Sequence, residues 1–98
     1  MKYFILLALM LSTGIQANEQ RDLTCKKIES AARATMMARQ EGTPMSKMME
    51  GAGDNDLLRA IVVRAYKTNK FMTSAYKMEA VNDYGEELYL ACYEAYPL

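Results

Sequence analysis

The chain contains no histidine. That absence removes the Ser–His and Cys–His pairs that activate most nucleophiles, and with them the imidazole ligands of common metal centres. Cysteine is scarce: Cys25 and Cys92 stand alone, with no Cys-x-x-Cys spacing to suggest a redox or zinc motif. Neither sign of charge is in excess, at twelve Lys+Arg against twelve Asp+Glu. Glycine never forms a phosphate-cradling loop, because Gly51-Ala52-Gly53 follows a helical pattern and lacks both a preceding strand and a following Lys-Ser/Thr. Val62-Val63 aside, no segment alternates as a strand does. The carboxylates fall at solvated helix positions, with no pair set apart for acid–base work. No catalytic residue, metal ligand or cofactor is expected, and the chain reads as a binding protein rather than an enzyme.

What is present begins with a leader. Lys2 gives a positive start, Tyr3 to Leu11 an unbroken apolar run, and Gln16-Ala17 a small-residue exit after Gly14. This is the layout of a secretory signal peptide over residues 1–17, cut between Ala17 and Asn18. The apolar run is half of the roughly 20 residues needed to span a bilayer, so no stable membrane span is expected after cleavage. No cysteine at the cut invites a lipid. Residues 18–98 then form a single helical domain, expected in the periplasm, with a net charge of −1.

Helical spacing divides that domain into four. A first helix is expected over Glu19–Gln40, with Leu23, Ile28, Ala31, Ala32, Thr35 and Met36 as its apolar stripe and Gly42 as its stop. Thr43-Pro44 reads as an N-cap followed by a first-turn proline. A short second helix runs to Glu50 with Met45, Met48 and Met49 on one side. Asp54 or Asn55 caps a third, Asp56–Asn69, with Leu57, Leu58, Ile61, Val62, Ala65 and Tyr66 inward. Thr73 or Ser74 caps the fourth, Ala75–Ala95, which Pro97 terminates and whose inward face is Val81, Tyr84, Leu88, Ala91, Cys92 and Ala95. Gly85 lies beside that face and lets a neighbouring helix come close. In an exported chain the two cysteines read as one disulfide, which closes a long loop and contributes on the order of 4 kcal/mol through loop-closure entropy. The expected fold is all-α: a small four-helix domain whose N- and C-terminal helices are joined by the Cys25–Cys92 bridge.

Three concentrations of residues bear on function. Residues 57–78 carry five bases and no acid, residues 79–98 five acids and no base. The simplest expectation is mutual attraction across an antiparallel helix pair; the functional one is a basic patch steering an acidic partner. Seven methionines populate residues 36–78. They are expected mainly as filler of an irregular core, with a partner surface or a Cu(I)/Ag(I) thioether site as lesser readings. Aromatics crowd the last 33 residues, and Tyr89, Tyr93 and Tyr96 form a stripe beside the core face of the fourth helix. Tyrosine suits interfaces, with an apolar body, a polar tip and few rotatable bonds, although the rings also suit a seam around the disulfide. Leu90 projects into the acidic face. The expected partner-binding set is therefore Tyr89, Leu90, Tyr93 and Tyr96, with Arg64 and Lys67 of the neighbouring basic helix. Nucleic acid is disfavoured by the neutral charge, by export and by the lack of aromatics among the basic positions. The partner is expected to be an envelope or periplasmic protein, and the chain a monomer or dimer. A holdase-type periplasmic chaperone is the alternative.

The set Cys25, Met36, Arg39-Gln40-x-Gly42, Pro44-Met45-Ser46-x-Met48-Met49-Glu50, Ala65-Tyr66, Phe71 and Tyr89-x-x-Cys92 resembles small signal-bearing proteins of tailed bacteriophages and prophages. The resemblance covers nearly the whole mature chain. It implies a bacterial host, a periplasmic site of action and a role in host modulation, such as blocking an envelope component or a competing phage. That group has no established activity, so no functional residue carries over.

Overall fold

The computed structural model describes the backbone of residues 2–96 and the side chains of residues 17–96. It holds four helices: α1 (Lys2–Glu41), α2 (Met45–Ala52), α3 (Asp56–Tyr66) and α4 (Ser74–Ala95). The fold class is the expected one. α1 continues N-terminally past Glu19 without a break at Gly14. A glycine costs a helix about 1 kcal/mol, too little by itself to end one.

Each turn has a local cause. Gly42, at φ +90°, closes α1: its N–H donates to the Arg39 carbonyl at 3.1 Å and the Thr43 N–H to that of Ala38 at 2.9 Å. These are the two bonds of a Schellman stop, which needs a residue free to enter left-handed space. Thr43 does not cap α2 as the sequence suggests. Its N–H is held by Ala38 and its carbonyl accepts from the Tyr66 hydroxyl at 2.6 Å, so Pro44 takes the cap position in extended conformation. Asn55 caps α3, accepting from the Leu58 N–H at 3.0 Å, and Thr73 caps α4, accepting from the Tyr76 N–H at 3.2 Å.

α3 ends at Tyr66, three residues before the expected Asn69. The reason is Gln40, only 2% exposed. Its amide donates to the Asn69 carbonyl and accepts from the Phe71 N–H, both at 2.8 Å. Arg39 takes the Thr68 carbonyl at 3.0 Å, and Lys77 reaches the Gln40 carbonyl at 2.6 Å. Side chains of α1 thus hold the Thr68 and Asn69 carbonyls and the Phe71 N–H, and fix the connection in a non-helical course.

α1 and α4 form an antiparallel pair, with Cys25 bridged to Cys92 at one end and Gln40 beside Lys77 at the other. Between them Arg33 lies across Gly85 and donates to Asn82 at 2.6 Å; a methyl group on Gly85 would stand 2.7 Å from the Arg33 Cγ. α3 packs on α1, and α2 on α3. The core joins Ala32 and Met36 of α1, Ile61 and Ala65 of α3, and Val81, Tyr84 and Leu88 of α4. The Tyr84 hydroxyl donates to the Ile61 carbonyl at 2.6 Å, and burial pushes its pKa up to about 12.

Several expected core positions are not buried. Leu23 and Leu57 are exposed, and so are Ala91 and Ala95 of the inward face of α4. The cause is length: α4 spans about 33 Å and α3 only about 16 Å, so α3 cannot cover the stripe to its end. Core filling holds for Met36 alone. Met48 and Met49 are half-buried, while Met37, Met45, Met72 and Met78 are exposed.

Candidate interaction surfaces at the disulfide end

The disulfide forms as expected, with Cα atoms 5.6 Å apart and Cys25 fully buried. One turn before Cys25, Arg21 points at the same end of α4. Its guanidinium lies 4.5 Å from the ring centre of Tyr93 and 6.0 Å from that of Tyr96. Arg21 is itself buried, and its Nε has no hydrogen-bond partner among the described residues. The ring faces supply the electrostatic contact instead, and a desolvated cation over an aromatic face is worth about 2 kcal/mol.

Tyr89 and Tyr93 stack on one another with centroids 6.3 Å apart and planes 16° from parallel. Burial raises the Tyr89 hydroxyl above its usual pKa, and the nearby charge of Asp22 adds to it. This pair flanks the side of α1 that carries Asp22 and Glu29. Tyr93 is 41% exposed, so the stack shows a face to solvent. Leu90 lies about 100° further round α4 from Tyr89. It is 58% exposed and stands between Glu86 and Glu94, which are also exposed.

The opposite flank of α4 holds an open groove of about 440 Å³. Thr24 and Ile28 of α1 form its floor, Leu57, Ala60 and Ile61 one wall, and Leu88, Ala91 and Ala95 the other. Tyr96 closes one end and Arg64 stands on the lip. Sequence reasoning missed this groove because it assigned Leu57, Ala91 and Ala95 to the core by their spacing. The legible signal was the mismatch in length between the two apolar stripes.

The six expected contact residues therefore do not share one surface. Tyr89 and Tyr93 stand together, with Leu90 on the adjoining outer face. Tyr96 and Arg64 belong to the groove, and Lys67, exposed at the C-cap of α3, lies one turn beyond Arg64. The expected attraction between the basic and acidic blocks is also sparse. Arg64 pairs with Glu87, and among the described residues no other ion pair joins the two blocks. Glu79, Asp83, Glu86 and Glu94 remain exposed and form no ion pair among the described residues. Among the described residues, no group of three or more His, Cys, Asp or Glu side chains is placed to hold a metal ion, and no helix is long and apolar enough to cross a membrane. In comparisons with known protein families, with curated proteins and with solved structures, nothing matches the chain.

Proposed function

We propose that the chain is a small exported protein that works by binding, without catalysis, to an envelope or periplasmic protein, and that the contact is made by the outer face of α4. The observation that carries this reading is the Tyr89–Tyr93 stack beside the exposed Leu90. Its second ring is fixed from behind by Arg21, so little side-chain freedom is lost when a partner covers it. The carboxylates around Leu90 select a partner with basic groups about an apolar pocket. The leader and the disulfide support an oxidising compartment, and the resemblance to phage-borne proteins supports a bacterial periplasm and a host-modulating role.

The test is site-specific photo-crosslinking in cells that export the protein, with the reactive group at position 90, at 93 or at the remote position 47. The reading expects one and the same envelope or periplasmic protein, identified by mass spectrometry, from 90 and 93 but not from 47. It also expects Leu90→Arg to abolish the adduct at 93 while thermal unfolding stays where it was. Equal adducts from all three positions, or none, would overturn it.

A further inference from the structure

The apolar stripes of α3 and α4 extend past the contacts one chain can make, and what they leave open has the form of half an interface. Leu57 is a knob: it sits in the first turn of α3 at the groove's lip, 53% exposed although it belongs to the most apolar stripe of the mature chain. Ala91 and Ala95 are the hole, small and exposed residues that let another helix come close. We propose that the groove seats a second copy of this chain, in a two-fold dimer in which Leu57 of each protomer rests on Ala91 and Ala95 of the other.

Charge fixes the orientation. Arg64 stands on the α3 lip with Lys67 one turn beyond it, and Glu87, its ion-pair partner, stands on the α4 side with Asp83 one turn before it. Leu57 stands level with Ala91 and Ala95, and Arg64 level with Glu87, because each pair shares the groove or an ion pair within one chain. A two-fold axis parallel to the helices and lying over the groove keeps those heights and lays α3 of one protomer on α4 of the other. Leu57 then meets the two alanines and Arg64 meets Glu87 of the partner, twice over. An axis across the helices instead sets α3 on α3 and α4 on α4, so that no Arg64–Glu87 pair can form between the chains. The groove is therefore complementary to itself about the parallel axis, as an isologous interface requires. The outer face with Tyr89, Leu90 and Tyr93 stays outside this contact, so a dimer presents two such faces.

Sedimentation equilibrium of the disulfide-bonded chain between 1 and 500 µM tests the assignment. The expected result is a mass near twice that of one chain. Ala91→Glu and Ala95→Glu should each give monomers of undiminished helicity by circular dichroism, because both positions are solvent-exposed in the single chain. Arg64→Glu and Glu87→Arg should each weaken the dimer, while an equimolar mixture of the two variants should restore it as a heterodimer. That complementation arises only if the charges meet between chains. A wild-type chain that stays monomeric at 500 µM, or a dimer that survives Ala91→Glu, would overturn the proposal. Crosslinking at position 90 would stand or fall separately.

Discussion

Gln40 shows how one side chain sets the length of a neighbouring element. In sequence it is an ordinary residue near the end of an amphipathic helix, and nothing in its spacing marks it as buried. In the structure it holds Asn69 and Phe71 of the α3–α4 connection, with both amide atoms engaged and Lys77 on its carbonyl. Gln40→Leu keeps most of the volume and leaves the part-buried Asn69 carbonyl and Phe71 N–H without their partner. At about 1–3 kcal/mol for each such group, the domain should lose about 2–4 kcal/mol, read as a lower midpoint in urea. A change below 0.5 kcal/mol would show that water replaces the amide. Arg21 escaped the sequence reading for the same reason. A cation near a chain end is most often solvated, and only the approach of Tyr93 and Tyr96, more than seventy residues away in sequence, turns it inward.

At the scale of elements, the four helices, two of their caps and the glycine stop after α1 were legible, because each depends on residues within a turn of one another. What was not legible depends on partners distant in sequence: the early end of α3, the extended Pro44, the exposure of Ala91 and Ala95. Gly85 lies between these cases. Its place beside the inward face announces a close helix approach, and the structure identifies the approaching group as the stem of Arg33. Alanine at this position should add about 1 kcal/mol of helix propensity yet force Arg33 off Asn82, with an overpacking cost of about 1–3 kcal/mol. Gly85→Ala alone is expected to destabilise. In an Arg33→Ala background the same substitution should stabilise by about 0.5–1 kcal/mol, since the obstructing side chain is gone. A thermal-melt double-mutant cycle reads the change of sign, and additive effects would rule the contact out as the cause.

On the scale of the whole molecule, one covalent bond joins the two ends of the domain. The bridge spans 67 positions, for which loop-closure entropy gives about 4 kcal/mol. A domain of this size commonly has a total stability of about 4–12 kcal/mol. Reduction, or paired Cys25→Ser and Cys92→Ser, should therefore lower the melting temperature by on the order of 20 °C, and a fall of under 5 °C would show that the reduced chain keeps its ends together by packing alone. The pairing was legible because the expected export favours a disulfide and two cysteines leave one intramolecular choice. The groove beside it was not, since its existence follows from the unequal lengths of α3 and α4. The same bond has a mechanical side. Tension applied to the chain before Cys25 and after Cys92 runs through the two sulfurs and leaves every residue between them unloaded. Drawing the two ends apart therefore cannot unravel α2, α3 or the Gln40 clamp, which open only thermally or after a reductant has cut the bridge.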